Sequence, residues 1–328
     1  MPNPGDGDAK WQSEIGKMYS RDISVIICTY NRAESLAVVL EDLEKQNENM
    51  LNISWELVLV DNNSTDRTKE LVEDYKRKNI YCIKYLFESI QGKSFALNTG
   101  VQAANGNIIV FTDDDVRIDP SWLWKIKEVF NEYDCAGVGG RIVATWTFEK
   151  PKWLHTEGPN RLMGAIVQFD KGDKCCELQD MPFGANMAFK REIFEKYGMF
   201  RLDLGLWPGS KIGYEDTEFT LRVKKGGEKI IYAPDAIVYH PVEKSRANKK
   251  YYQSWYFGFG GAQVRTNALP KGTIFYFGVP RYYFKNIAIA TIRWIFTYNL
   301  NKRFFNKLMV YVQAGQIAEA FKMSKEIR

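Results

Sequence analysis

Along the first third of the chain, apolar and polar residues alternate in blocks. ISVIICTY (23–30), WELVLVD (55–61), IYCIKYLF (80–87) and GNIIVFTDDD (106–115) each contain an unbroken apolar run, the pattern of strands covered on both faces. Between them, SLAVVLEDLEKQ (35–46), STDRTKELVEDYKRK (64–78) and GKSFALNTGVQAA (92–104) read as helices, with apolar residues three and four apart where the pattern is clearest. Strand and helix alternating at this spacing imply right-handed crossovers and an α/β fold, a doubly wound, mostly parallel sheet flanked by helices. In such a sheet the ligand crevice lies at the carboxyl ends of the strands. The polar clusters CTYNR, VDNNSTDRT and FTDDDV fall at those ends.

After Pro120 the segment SWLWKIKEVFNEY predicts one more helix, and the stretch up to about residue 243 is irregular, Gly-rich and aromatic. It is expected to shape a pocket more than to extend the sheet, with GVGG at 137–140 as a turn. Beyond it the pattern turns helical and basic, with Tyr283, Ile287, Ala290, Trp294 and Tyr298 on one face. Three regions follow: a flexible leader over 1–21, a body over 22–245 whose halves meet at 115/116, and a helical, basic, amphipathic C-terminal appendix over 246–328.

Charge sharpens this division. The chain of 328 residues has a formal charge of +5, but from Lys244 onward there are 15 Lys and Arg against two acids, which leaves the body at −8 and the tail at +13. Such a tail suits a polyanionic partner, a membrane surface or nucleic acid. No RNP, KH or other RNA-binding module is present, which argues against nucleic acid. The leader has no apolar core of a signal peptide. The most apolar stretch, 286–300, is interrupted by Arg293 and is too short to span a bilayer. The five cysteines make no C-x-x-C spacing and read as reduced thiols of a cytosolic protein.

Candidate chemistry centres on Asp113, Asp114 and Asp115. Side chains alternate along an extended chain, so Asp113 and Asp115 project to one side and Asp114 to the other. Two carboxylates on one side are half of a site for a hard divalent cation, which keeps positions open for water and phosphate; Asp114, facing away, is the least missed. An isolated triplet is more often a solvated acidic loop, but the end of a buried strand is a poor place for one. Asp61, at the tip of the second strand, is free to accept hydrogen bonds from a ligand, with Ser64, Thr65 and Asp66 as a helix N-cap region. Neither G-x-G-x-x-G after the first strand nor G-x-x-x-x-G-K-[ST] is found.

SVIICTYNR, LVLVDNNSTDRT, QGKSFALNTG, FTDDDV, GANMAFKR, GYEDTEFTLRVKKGG and YAPDAIVYHP follow one another in an order that resembles the family 2 glycosyltransferases of the GT-A fold, over residues 22 to about 243. The resemblance implies inverting transfer of a sugar from a nucleoside-diphosphate donor, a UDP-sugar in the first instance. The acceptor implied is a hydroxyl of a glycan or lipid-linked molecule in cell-surface polysaccharide or glycolipid synthesis. It makes 22–245 a GT-A catalytic domain with a nucleotide-binding half (22–115) and an acceptor-binding half (116–245). It places Thr29, Tyr30, Asp61, Lys93, Asp113 and Asp114 with the nucleotide. Asp115 becomes a direct ligand of Mn²⁺ or Mg²⁺, joined by His240 and Asp113. Asp216 is implied as the general base, with Glu215 as its competitor, although an acidic pair opening a helix is equally what the macrodipole favours. Gly184, Asn186 and Trp207 are implied at the donor sugar and acceptor, where the Asn186 amide holds hydroxyls and Trp207 stacks on a sugar.

Two other functions compete with this one. A sugar-nucleotide pyrophosphorylase shares the sheet and the metal but needs a Gly-rich, Arg-Lys signature where CTYNRAES stands. A non-catalytic nucleotide-sugar scaffold leaves the intact Asp113, Asp115 and Asp216 unexplained. For the tail, contact with anionic lipid at the cytoplasmic face of a membrane is preferred over a helical cap that only packs on the core.

Overall fold

The computed structural model describes residues 21–46, 53–156, 158, 161–162, 166–207 and 213–326. Of the leader expected over 1–21, all but Arg21 lies outside the described residues. The chain forms two compact units. The first takes the chain to Ile142, then Phe169–Met199 and Thr220–Tyr239; the second takes Val143–Gln168, Phe200–Phe219 and the chain from His240 onward.

In the first unit the expected alternation is present: β1 (Arg21–Thr29), α1 (Ala33–Glu44), β2 (Trp55–Asp61), α2 (Thr68–Lys78), β3 (Cys82–Phe87), α3 (Lys93–Ala103) and β4 (Gly106–Thr112). β3, β2, β1 and β4 lie side by side and parallel. All seven residues of β2 are buried, which accounts for its apolar run, whereas β3 at the sheet edge is half-exposed and carries polar residues accordingly. Polar groups inside are paired. The Ser24 hydroxyl donates to Glu56 Oε1 (2.7 Å) and accepts the amides of Asn105 (3.1 Å) and Gly106 (2.7 Å), leaving no unmet capacity.

The later residues extend this sheet more than expected. β5 (Arg117–Ile118), α4 (Trp122–Glu132), β6 (Gly137–Thr145), β7 (Cys176–Glu177), β8 (Met187–Lys190), α5 (Arg191–Tyr197), α6 (Glu215–Lys225) and β9 (Ile230–Pro241) follow. The nine-stranded order is β3-β2-β1-β4-β8-β6-β9-β5 with β7 beside β9, and β8 pairs antiparallel to β4 and β6. Second-half segments thus build strands, and GVGG is the start of β6, not a turn. The reason lies across the sheet. A Cβ on Gly137 would stand 2.6 Å from the Phe189 ring, and one on Gly140 would stand 2.3 Å from Asn186 Nδ2. Neighbours distant in sequence occupy the space a side chain would need.

α1 is clamped to β5 by a buried carboxylate. Asp42 Oδ2 accepts from Arg117 Nε (2.6 Å) and the Ile118 amide (3.0 Å), and its Oδ1 accepts from Arg117 Nη2 (2.9 Å) and Lys45 (2.7 Å). Burial would raise its pKa, but these donors outweigh it and hold the group at about 2.

The second unit is helical: α7 (Lys249–Thr266), a hairpin of β10 (Phe275–Tyr276) and β11 (Val279–Pro280), α8 (Arg281–Ile295) and α9 (Leu300–Glu326). Tyr252 and Tyr256 of α7 and Leu308 and Val312 of α9 share a core with Leu154, Leu162 and Ile166. α7 and α9 touch at backbone distance. A Cβ on Gly260 would stand 2.0 Å from Val312 O, and one on Gly315 would stand 2.0 Å from Phe257 O. Beside this crossing Arg265 Nε donates to Glu319 Oε1 at 2.7 Å, so one of the tail's two acids is spent on a buried pair. On α8 the buried Tyr283 and Ala290 and half-buried Ile287 and Trp294 lie on the expected face, while Tyr298 lies past the helix end and is 94% exposed.

Candidate active site

Parallel register brings the strand tips together. Thr29 pairs with Asp61 and Ile27 with Thr112, so β1, β2 and β4 all end at one edge of the sheet. The loops beyond them interlock. Asn31, at φ 52°, accepts the amide of Thr65 (2.7 Å) on its side chain and donates its own N–H to Ser64 Oγ (2.9 Å). Asp66 binds the Ala33 amide (3.0 Å) and the Thr68 amide (3.0 Å), tying the starts of α1 and α2. The Thr112 hydroxyl donates to Ala185 O at 2.9 Å.

The three aspartates sit in this frame. Asp113 takes Lys93 Nζ at 3.0 Å, and Arg32 Nη1 bridges Asp114 (3.0 Å) and Asp115 (2.7 Å). The triplet lies past the end of β4 in a turn, so the alternation of an extended strand does not apply: Asp114 and Asp115 converge on the same Arg32 nitrogen, and Asp114 is the most buried of the three. It is therefore not the dispensable member: burial pushes its carboxyl up to about 6, against the pull of Arg32 and Thr29, with Asp115 and Asp113 adding to the rise. The Thr29 hydroxyl, 2% exposed, stands near enough to favour the charged form, yet makes no hydrogen bond of normal geometry. It remains a buried polar atom open to a ligand.

β9 completes a ligand set. It runs antiparallel to β5, with Arg117 opposite Tyr239, so the same register carried one residue further brings His240 level with Val116, next to Asp115. Ligand atoms of Asp113, Asp115 and His240 all lie within 4.8 Å of one another. His240 is 4% exposed and its Nδ1 lies 3.1 Å from Pro241 O. With that nitrogen protonated the lone pair is on Nε2, the tautomer that ligates metals. Two carboxylates and one imidazole could hold a divalent metal ion.

Other expected site residues are placed less simply. Asp61 is not free: Oδ1 accepts the Ser64 amide (2.8 Å) and Oδ2 the Tyr85 hydroxyl (2.7 Å). The chain turns sharply after β2, with Asn63 at φ 69°, and the carboxylate closes that turn. Its second lone pairs remain. Tyr30 is 47% exposed and Trp207 and Gly184 are half-buried. Asn186 does not hold ligand hydroxyls. It is fully buried, both amide hydrogens go to Arg141 O and Ala236 O (2.8 Å each), and its Oδ1 takes the Trp122 indole N–H (2.9 Å); it staples strands.

At the start of α6, Glu215 is 4% exposed and accepts the Tyr214 amide at 3.0 Å. Asp216 is half-buried, with the Thr217 amide at 2.6 Å on Oδ1. Tyr214 has φ 131°, a costly backbone for a non-glycine residue and one that recurs where structure holds side chains for function. Neither Arg32 nor Tyr214 was singled out in the sequence. A cation at the tip of one strand and a triple acid at the tip of the next strand over was a legible signal for Arg32; nothing local marked Tyr214.

A family model described as Glycosyl transferase family 2 matches residues 24–198, more than half the chain. Similar sequences include a glucosyl-dolichyl phosphate glucuronosyltransferase of Haloferax volcanii, 25% identical over 68% of this chain and 70% of the relative. Another is the succinoglycan biosynthesis protein ExoM of Rhizobium meliloti, 26% identical over 69% of each chain. Among solved structures, the mannosyltransferase PcManGT from Pyrobaculum calidifontis, in complex with GDP-Man and Mn²⁺, aligns with a TM-score of 0.54 at 18% identity, covering 98% of this chain and 82% of that one. S. aureus TarS 1-349 in complex with UDP aligns with a TM-score of 0.51 at 16% identity, covering 94% and 92%. These structural likenesses speak for the fold, and the GT-A type of sheet expected from the sequence is the one found.

Proposed function

Because the chain belongs to glycosyl transferase family 2, we propose that it is an inverting, metal-dependent glycosyltransferase that moves a sugar from a UDP-sugar to a hydroxyl of a glycan or lipid-linked acceptor. The acceptor belongs to polysaccharide or glycolipid synthesis, the work of relatives so named. One observation carries the reading: Asp113, Asp115 and His240 converge within 4.8 Å at the sheet edge where β1 and β2 also end.

These three residues would hold a divalent ion, which when bound would supply positive charge to a diphosphate leaving group. Around it, Thr29 offers its unpaired hydroxyl and Asp61 its remaining lone pairs to the nucleoside, with Tyr30 exposed beside them. Lys93 and Arg32 set cationic charge next to the aspartates, and Asp114 fixes Arg32. Gly184 and Trp207 are assigned to the sugar and the acceptor. The acceptor oxygen attacks the anomeric carbon as the bond to the diphosphate breaks, and the proton passes to Asp216. One displacement inverts the centre. Both carboxylates accept a neighbouring backbone amide, and Asp216 is preferred to Glu215 because Glu215 is 4% exposed whereas Asp216 is only half-buried.

The lipid-linked acceptor places the protein at the cytoplasmic face of a membrane as a peripheral protein. Among the described residues no helix is long and apolar enough to cross a bilayer. The test is a panel of nucleotide sugars with Mn²⁺ or Mg²⁺, scored for donor hydrolysis and transfer. Asp216→Asn is expected to slow transfer by about 10²–10⁴ while nucleotide binding persists; equal turnover in wild type and variant would remove Asp216 as the base.

A further inference from the structure

Apolar exposure is concentrated in one short stretch of the helical unit. Of the 22 large hydrophobic side chains exposed among the described residues, 12 fall between Leu269 and Leu300. They form a continuous feature: the β10–β11 hairpin, the outward face of α8, and the connection into α9. The hairpin turns at Phe277 and Gly278, both at positive φ (54° and 81°). Such a turn favours Asn-Gly or Asp-Gly. Here the first position is a phenylalanine, 87% exposed, so the fold tolerates a disfavoured backbone and presents an aromatic ring to solvent at the tip.

α8 carries large apolar side chains on its exposed side as well as on its buried one. Tyr283 and Ala290 are buried against the unit, while Ile292 and Ile295 on the opposite side are each 55% exposed and Phe296 is 68% exposed. Large apolar side chains gathered on the outward side of a surface helix mark a contact with something other than water. The connection continues the pattern, with Tyr298 94% and Leu300 78% exposed. Interleaved with these residues are Lys271, Arg281, Lys285, Arg293, Lys302, Arg303 and Lys307, and no Asp or Glu occurs from Lys244 to Ala318. Exposed apolar side chains set among basic ones, without one acid, match the headgroup boundary of an anionic bilayer.

We propose that the hairpin, α8 and the α8–α9 connection form an in-plane docking surface for anionic lipid, with Phe277, Ile292, Ile295, Phe296, Tyr298 and Leu300 entering the acyl boundary and Arg281, Lys285 and Arg293 meeting phosphate groups. The surface deepens the reading of a lipid-linked acceptor and rests on that reading for its purpose, though its composition stands without it.

The test uses the full chain without donor or acceptor, mixed with vesicles of phosphatidylcholine alone or phosphatidylcholine with one-third phosphatidylglycerol, and measures co-sedimentation at low and high salt. Wild type is expected to bind the anionic vesicles and to be released by salt. Phe277→Ser with Phe296→Ser, and separately Arg281→Glu with Lys285→Glu, are each expected to weaken binding about tenfold or more. Both pairs are expected to keep the wild-type thermal midpoint and metal-dependent nucleotide binding. Absence of binding to anionic vesicles, equal binding to neutral ones, or variants that bind as wild type overturn the proposal. So does a solution dimer that the serine substitutions dissociate, since the occupant is then a second copy. Nucleotide binding is measured separately, so loss of the transferase reading and loss of the docking surface are told apart.

Discussion

Asp114 shows what burial does to one member of a charged run. Strand alternation was expected to set it apart from Asp113 and Asp115, but the run lies in the turn after β4, where Asp114 and Asp115 share Arg32 Nη1. What it faces was not legible in the sequence, because Arg32 and Thr29 come from the end of β1, far earlier in the chain. Replacing Asp114 by Ala leaves Arg32 without one of its two carboxylates, and a loss of about 1–3 kcal/mol in unfolding free energy is expected, read by urea denaturation. Asp115→Ala, nearer solvent, is expected to keep stability within about 1 kcal/mol and to lose nucleotide binding. Similar stability losses in both variants would contradict the division of roles between them. Asn186 was misread for a related reason: an amide in a loop motif looks available, and only the fold reveals Arg141 O and Ala236 O waiting for its two hydrogens.

Among the elements, those defined by local pattern were legible and those defined by distant neighbours were not. β2 was read to the residue because all seven of its positions are covered and its composition says so. β6 opens on three glycines in four residues and has no strand-like composition. Its glycines answer to Phe189, Leu178 and Asn186, which stand where their side chains would be. Gly140→Ala is accordingly expected to cost about 1–3 kcal/mol or more, measured as a fall in the denaturation midpoint.

The clamp between α1 and β5 gives a pH-dependent counterpart. Asp42 titrates at about 2 in the fold and near 3.9 unfolded, so its contribution is complete above about pH 5 and disappears as pH falls from about 4 through 2. Asp42→Asn should therefore be less stable than wild type by on the order of 2 kcal/mol at neutral pH, with the gap narrowing towards pH 2. A gap that stays constant across that range would deny the ionised clamp.

For the molecule as a whole, charge was the most informative bulk property. A body at −8 and a tail at +13 set the tail apart from the rest as the part suited to an anionic partner. The helices were legible in the tail, but their packing was not, since the crossing at Gly260 and Gly315 depends on two segments far apart in sequence meeting at backbone distance. Gly315→Leu is expected to break that crossing, seen as loss of helical circular dichroism or of the cooperative thermal transition.

The sheet edge remains the place where the whole reading is decided. Calorimetric titration of UDP into wild type and into Asp115→Ala, each with Mn²⁺ and with a chelator, tests it most directly. Binding is expected only for wild type with Mn²⁺, with loss of at least about tenfold in affinity on chelation or substitution. Equal UDP affinity with and without the metal, or in the variant, would contradict a metal and nucleotide site built on Asp113, Asp115 and His240.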